Sequence, residues 1–387
     1  MPALDVPQPA FMDEEEIAVF ADAVGKFYEK HAPESRVLKW RDDGQVDREF
    51  WREAGEAGLL GASVPEEYGG HGGDFRHEMV VIDQQGRHNV EGFAASLHNT
   101  IILPYLVRHG TEEQKKKYLP RLVSGDLVSA IAMTEPGVGS DLQSITTTAI
   151  RDGNGYRING AKTYISNGQI ADFIIVVAKT DPNERAKGIS LMLLETEGAE
   201  GFQRGKKLDK IGLEAQDTSE LFFDDVFVPA ENVLGGEEGK GFYQLMGELP
   251  QERLIIAMGA MTTIERALEE TLAFTKERKA FGKTIWDFQN TQFTLAELKA
   301  RATAAKVFVN HCIAQHLEGK LDVPTACMAK LWLTELQGEV VDKCLQLHGG
   351  SGYINDYPIA RMFRDSRVSR IFGGSNEIMK MVIARGM

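Results

Sequence analysis

The spacing of apolar residues changes character twice along the chain. Ile17, Val19, Phe20, Ala23, Val24 and Phe27 recur with a helical period, and Asp13 is placed to cap that helix, with acids in its first turn. Helical patterning with Gly-rich interruptions continues to residue 125. Gly69, Gly70, Gly72 and Gly73 surround His71 without a phosphate-binding signature and read as a flexible loop. From 126 to 235 the period shortens. Runs at 145–151, 156–159, 173–178, 189–194 and 221–228 are rich in β-branched and aromatic residues, and Asp152-Gly153-Asn154-Gly155 is a hairpin signal. No helical pattern separates these runs, so an antiparallel barrel or sandwich is expected rather than βαβ units. Beyond 236 the chain has no proline between Pro250 and Pro324, which leaves room for long helices. After Pro324, Met328, Trp332, Leu336, Val340, Cys344 and Leu347 follow at steps of four or three and are expected to form one core-facing stripe. The fold class is α+β, with an N-terminal helical domain (1–125), a middle antiparallel β-domain (126–235) and a C-terminal helical bundle (236–387).

Composition narrows the function classes. The 387 residues are 43% hydrophobic and 26% charged, an ordinary globular balance. Acids outnumber bases, the net charge is −14, and no basic block offsets it, so nucleic acid is not an expected partner. No apolar run reaches the roughly 18 residues of a membrane span. No Lys or Arg precedes Lys26, so neither a secretory nor a mitochondrial signal is expected. Cys312, Cys327 and Cys344 are odd in number and form no CxxC. That fits a reducing compartment, and the cytoplasm is the expected location, with no metal centre.

Five local motifs carry candidate chemistry. The loop Met133-Thr134-Glu135-Pro136-Gly137-Val138-Gly139-Ser140-Asp141 combines bare backbone with hydroxyls and can approach a flat ring or a phosphate, although alone it reads as a turn. In Gly160 to Gly168, Tyr164 and Ser166 share one strand face that can wall an aromatic cofactor. Arg278-Lys279-Ala280-Phe281-Gly282-Lys283, followed by Gln289, offers cations for an anion and a ring for stacking; the plainer reading is a helix end with favourable charges. Gln346-Leu347-His348-Gly349-Gly350 and Ile371-Phe372-Gly373-Gly374-Ser375-Asn376-Glu377 are helix boundaries built on Gly pairs, with Ser375 able to cap the last helix.

Taken together, in this order and in an α–β–α chain, the motifs resemble the acyl-CoA dehydrogenase family, from about residue 14 to residue 385. Leu249-Pro250-Gln251-Glu252-Arg253-Leu254 and Gly373-Gly374-Ser375-Asn376-Glu377-Ile378-Met379 look most like its long-chain branch. The resemblance implies non-covalent FAD, oxidation of a medium- or long-chain acyl-CoA to the trans-2-enoyl-CoA, electron-transferring flavoprotein as acceptor and a homotetramer. It implies that Ile131, Met133, Thr134, Gly139 and Ser140 line the flavin, with Tyr164, Ile165 and Ser166 at the isoalloxazine; many relatives carry Trp where this chain has Tyr164. It assigns Arg278, Phe281, Gln289, Gln346, Leu347, His348, Gly349 and Gly350 to the diphosphate and adenosine, partly across a subunit interface, and Ser375, Asn376 and Glu377 to the C-terminal flavin site. Ser140, Ala186, Lys187, Tyr243, Pro250, Gln251, Arg253, Gly373 and Gly374 would meet the acyl-CoA.

The commonest family pattern puts the catalytic carboxylate where this chain has Gly373. In the long-chain and isovaleryl branches it sits on the helix after the β-domain, and the matching residue is Glu252. Locally, Pro250 followed by an acid is an ordinary helix start. The vacant position 373 beside a complete flavin pattern favours Glu252 as the base, with Glu377 a poor second choice and Arg253 a structural neighbour. The competing expectations are a short branched-chain acyl-CoA dehydrogenase, a flavin oxidase or monooxygenase on the same fold, and a non-catalytic subunit.

Overall fold

The computed structural model describes residues 3–387. Seven helices come first: α1 (Glu15–His31), α2 (Glu34–Asp43), α3 (Arg48–Glu56), α4 (Phe75–Arg87), α5 (Ala95–Leu97), α6 (Leu103–His109) and α7 (Glu112–Val123). A π-helical turn, His98–Ile102, joins α5 to α6. The first helix and its acidic first turn are as expected, but the residue at the cap is Glu14. Asp13 instead closes a short turn, its N–H donating back to Ala10 O, so the chain bends before α1 begins.

The sheet contains β1 (Ser129–Ala132), β2 (Thr148–Asp152), β3 (Gly155–Ser166), β4 (Phe173–Lys179), β5 (Ile189–Glu195), β6 (Phe202–Lys207) and β7 (Thr218–Pro229). The hairpin at 152–155 joins β2 and β3, with Asp152 opposite Gly155. The β4–β5, β3–β7 and β6–β7 ladders are also antiparallel. The expectation of a wholly antiparallel sheet is corrected by β1, which pairs with β4 in parallel from Ser129↔Phe173 to Ala132↔Val176. The β2–β3 hairpin intervenes, and the chain returns beside β1 in the same direction. Two strands escaped the sequence pattern: β1 is nearly all small residues, and β6 is polar.

β4 explains how the sheet receives its neighbours. Its continuous apolar run is buried on both faces. Phe173, Ile175 and Val177 pack with Tyr118, Leu119 and Leu122 of α7. Ile174, Val176 and Ala178 face the opposite way into the core between β4, β5 and β7.

The C-terminal part consists of α8 (Gly241–Glu277), a small hairpin of β8 (Lys279–Ala280) and β9 (Lys283–Thr284), α9 (Gln289–Leu317), α10 (Val323–His348), α11 (Pro358–Asp365) and α12 (Asn376–Arg385). α8 packs against α4, α6, α9 and α10. Pro250 lies inside α8 and not at a helix start, so the local reading of that residue is corrected. The apolar stripe of α10 is also corrected in part. Leu336, Val340 and Cys344 are buried, whereas Met328 and Trp332 are exposed and Trp332 rests on Phe308 of α9. Steps of four advance about 40° beyond a full turn, so a long stripe of them winds off the core face.

One ionic cluster ties the three parts together. Arg41 of α2, half-buried, bonds to Glu91 and Glu214, and to Asp365 of α11 at 3.1 Å. Arg361 reaches Glu91 at 3.2 Å and Glu34 at 3.1 Å, and Asp365 also accepts from Leu213 N at 2.5 Å. Replacing Arg41 with Met removes the cation shared by three half-buried carboxylates, although Glu91 keeps Arg361, Glu214 keeps Arg364 and Asp365 keeps the Leu213 N–H. Unfolding free energy should fall by about 1–3 kcal/mol, read as a lower denaturant midpoint; an unchanged midpoint would show that Arg41 contributes no net stability.

Candidate active site

The β-side of the site is one wall built from two distant motifs. Thr163 N–H donates to Thr134 O at 2.9 Å, and the Thr134 hydroxyl donates to Thr163 O. Lys162, fully buried on β3, reaches Met133 O at 2.9 Å and Glu135 Oε1 at 3.0 Å. Glu135 also accepts from Thr146 N at 2.7 Å and Thr147 N at 2.9 Å. Burial pulls Lys162 down to about 8, against the opposing pull of Glu135. Burial alone would raise Glu135, but the Lys162 charge and the threonine donors hold it near 2. Both charges are paired and hydrogen-bonded, so the pair staples the 133–141 loop to β3.

The β3–β7 register slips between Lys162 and Ile165. The bulge holds Tyr164 at φ +60°, 70% exposed, and Asn167 at φ +62° with its amide on Ser129 O at 3.0 Å. Ser166 lies between these two left-handed residues. Bulges and strained non-glycine backbone of this kind re-aim side chains and gather at functional sites. Ile165 is corrected: its side chain is buried in the sheet core, so only its backbone faces the wall. Ile131 and Met133 are partly buried against the helical side of the sheet, so their side chains only partly face the site.

The 133–141 loop ends near the start of α8. Glu135 and Val138 exchange backbone hydrogen bonds of 2.8 and 3.0 Å, forming a tight turn, and a Cβ at Gly137 or Gly139 would meet no atom within 4 Å. Ser140 is exposed. Asp141 approaches Arg185 at 4.0 Å, which brings the loop beside the Ala186–Gly188 turn. Gly239 N–H donates to Ser190 Oγ at 2.8 Å, seating the entry of α8 on that turn, with Lys187 and Tyr243 exposed.

Glu252 lies three turns into α8, about 14 Å along the axis from Tyr243. It is 5% exposed, and Tyr105 Oη donates to its Oε1 at 2.9 Å. Burial raises it to about 7, partly opposed by the Tyr105 bond. Its neighbours point elsewhere, which corrects their assignment to the acyl-CoA. Gln251 donates to Thr100 O and accepts from Arg108, both at 2.7 Å. Arg253 is buried and donates to Cys327 Sγ at 3.1 Å. Pro250 is half-buried beside them.

Gly373, at φ +62°, approaches the same helix: a Cβ there would stand 2.3 Å from Ile256 Cδ1, one turn beyond Glu252. Among the described residues no group accepts from the N–H of Gly373, Gly374 or Ser375. Lys330 of α10, fully buried, anchors this turn through Gly374 O at 2.9 Å and Asn376 Oδ1 at 2.8 Å. Burial, followed by repulsion from Arg253, lowers Lys330 to about 8. Asn376 donates to Thr334 and Glu335, so its side chain secures the turn and does not face a ligand. Ser375 stands at the cap of α12 without a side-chain bond to the helix amides. Glu377 is exposed, and its own amide and Ser375 hold it below the usual carboxylate range, which leaves it a poor base.

The third group of residues gathers at the far end of α8. Glu252 to Glu277 covers about 37 Å of unbroken helix. Beyond it, Arg278 is exposed and Phe281, 95% exposed at φ +53°, tips the β8–β9 hairpin. Gln289 opens α9, exposed. Gln346 is exposed, Leu347 is half-buried, and Cβ atoms at Gly349 and Gly350 would meet nothing within 4 Å. His348 is corrected: its ring is buried, stacked on Phe274 at 4.2 Å, with Nε2 3.2 Å from Thr271 Oγ1, and burial lowers it to about 4.

Tyr105, the Lys162–Glu135 pair and Lys330 were not singled out by the sequence. A surface groove of about 640 Å³ beside His71 and His77 holds none of the assigned residues. Among the described residues no three His, Cys, Asp or Glu side chains converge as a metal site, and no helix is long and apolar enough to cross a membrane.

Three family models cover the chain: acyl-CoA dehydrogenase N-terminal domain over 14–126, middle domain over 130–226 and C-terminal domain over 239–387. Long-chain specific acyl-CoA dehydrogenase of Sus scrofa is 48% identical over 369 residues, which are 95% of this chain and 85% of that protein. An acyl-CoA dehydrogenase structure from Geobacillus kaustophilus superposes with a TM-score of 0.94 at 47% identity, covering 96% of this chain and 98% of the other. A glutaryl-CoA dehydrogenase from Mycobacterium smegmatis in complex with FADH2 superposes with a TM-score of 0.90 at 27% identity, covering 100% and 97%. The open Tyr164 bulge, the bare glycine backbone and the unpartnered amides at 373–375 fit a flavin and a thioester. The chain belongs to the acyl-CoA dehydrogenase family, and it is a flavin-dependent oxidoreductase acting on the CH–CH bond of acyl-CoA thioesters.

Proposed function

We propose that the protein converts a medium- or long-chain fatty acyl-CoA to the trans-2-enoyl-CoA with FAD as cofactor and Glu252 as base. The observation that carries this reading is a buried carboxyl near neutrality, set beside a turn whose glycine leaves the common base position vacant. A bound FAD supplies the hydride acceptor. Glu252 takes the α proton, and its acidity suits a proton transfer near pH 7. The N–H of Gly373, without an acceptor within the chain, is the donor we assign to the thioester oxygen as negative charge develops there. Tyr164 and Ser166 offer a ring face and a hydroxyl at the flavin wall. Lys187 and Tyr243, near the α8 entry, are assigned to the CoA end of the substrate.

We assign a homotetramer and, on the family resemblance, electron-transferring flavoprotein as the electron acceptor. Most exposed large hydrophobics, including Phe293, Met328, Trp332 and Ile371, follow residue 280, which favours burial against further copies. The long separation along α8 supports a second copy supplying Arg278 and Phe281 to the adenosine end. Three buried free cysteines agree with a reducing compartment, for which the cytoplasm is our assignment.

Glu252→Gln should retain FAD while anaerobic flavin reduction by octanoyl- or palmitoyl-CoA falls by roughly 10²–10⁴-fold. Reduction at the parental rate would move the base elsewhere.

The same variant has a stability signature. The carboxyl rises from 4.5 unfolded to about 7 folded, so the folded state binds more protons between those values. Its penalty is absent at low pH and complete above neutrality. Glu252→Gln should therefore be more stable than the parent at about pH 8, by an amount on the order of 1–3 kcal/mol, and gain little at about pH 4. Denaturant midpoints that shift equally at both pH values would contradict the raised acidity.

Arg278→Ala should purify with less FAD, because a diphosphate would lose a charge-assisted donor. Full flavin occupancy and affinity in that variant would remove Arg278 from the cofactor site.

A further inference from the structure

We propose that Tyr105 is the positioning residue of the base: its phenol anchors one oxygen of Glu252 and leaves the other to receive the α proton. The inference rests on Glu252 being that base. It comes from how donors are distributed between two neighbouring buried carboxylates.

α6 presents Tyr105, Arg108 and His109 on one face, at i, i+3 and i+4. α8 runs antiparallel to it and presents Glu252, Gln251 and Glu248. Glu248 and Glu252 are one helical turn apart, at 3% and 5% exposure. The guanidinium and the imidazole both go to Glu248: Arg108 donates to its Oε2, and His109 Nε2 lies 3.0 Å from its Oε1. Arg108 also bonds Gln251. Arg253, next in the chain, turns to Cys327 on α10, where Lys330 lies behind it. His316 of α9, near Arg108 and Glu248, is lowered to about 4 by burial and adds no charge. Glu252 is left with one donor, the neutral phenol. Its Oε2 accepts no hydrogen bond within the chain, yet it is not among the partnerless side-chain oxygens sealed from solvent.

That arrangement answers a chemical requirement. A cation on Glu252 would hold it well below neutrality and remove its basicity; no donor at all would let burial raise it unchecked. A phenol stabilises the anion without bringing a charge. Tyr105 keeps its proton throughout, because burial and the charges of Glu252 and Glu248 push it well above 10. The π-helical turn before α6 inserts an extra residue into the helical winding, and Gln251 holds its Thr100 carbonyl at 2.7 Å. The base helix thereby fixes the rotation that aims Tyr105 at its own carboxylate.

The test compares FAD-loaded parent, Tyr105→Phe and a variant with 3,5-difluorotyrosine at 105. Anaerobic flavin reduction by saturating palmitoyl-CoA is followed from about pH 5 to about pH 10. The carboxyl stretch of Glu252, identified by its loss in Glu252→Gln, is titrated by difference infrared spectroscopy without substrate. Tyr105→Phe should move the acid limb of the rate and the infrared midpoint upward by about one to two pH units, as expected for losing a hydrogen bond to a charged group. The rate at neutral pH should fall by about 5- to 50-fold and recover above the new limb. The fluorinated phenol, a stronger donor, should move both readouts the opposite way, and it keeps the test decisive if Tyr105→Phe folds poorly. A limb and an infrared midpoint that stay at parental values in both variants overturn the proposal. Parental reduction in Glu252→Gln would instead remove the base assignment, with the infrared coupling of Tyr105 to Glu252 still measured separately.

Discussion

The continuity of α8 sets the distances on which the rest of the site depends. The helix is buried along most of its 37 residues, because it packs on α4, α6, α9 and α10 at once. With a rise of about 1.5 Å per residue, its length becomes a ruler. Its entry is seated on the 186–188 turn of the sheet, the carboxylate follows three turns later, and the cationic hairpin follows about 37 Å beyond that. Pro250 would break a helix standing alone; here the surrounding contacts hold the axis through it.

Burial of Glu252, the proposed base, creates a second constraint. A carboxyl placed to abstract a proton near neutrality must be removed from water, and removal from water disfavours the charged form that does the work. The chain meets this by dividing the partners over one helical turn: the Arg108 cation and the His109 ring go to Glu248, a neutral phenol to Glu252. The same separation recurs at the Gly373–Gly374 turn, where Lys330 bonds a carbonyl and an amide oxygen but no carboxylate. Rigidity is thus obtained near the reacting atoms without a fixed counter-charge on the base itself.

Much of this was legible in the sequence, for identifiable reasons. The helical and β zones follow from apolar periods of 3.6 and two, and three of the five glycine-bearing motifs, those at Gly137, Gly282 and Gly349, mark places where bare backbone faces open space. Glu252 was legible because position 373 holds a glycine. Tyr105 and Lys330 were not: each looks like an unremarkable residue until its helix is rotated correctly, and a stripe of four-residue steps misplaces that rotation on α10. His348, Asn376, Gln251, Arg253 and Ile165 show the complementary limit. A motif fixes the position of a residue, whereas side-chain direction depends on neighbours far along the chain, such as Phe274 for His348 and Thr100 for Gln251. The parallel pairing of β1 with β4 was hidden because a four-residue strand of small side chains carries no periodic signal.

The ionic cluster around Arg41 has a consequence for how the chain is made. Its partners lie 50, 173 and 324 residues further along the sequence. At about 5–20 residues per second, Asp365 is synthesised roughly 15–65 s after Arg41. Throughout that interval the N-terminal helices must remain compact with a central cation lacking part of its counter-charge. Contacts of such long sequence separation form late, since the loop they close must be ordered first. The cluster therefore acts as a completion lock: N-terminal helices, sheet and C-terminal helices reach their final arrangement together, only after nearly the whole polypeptide has been made.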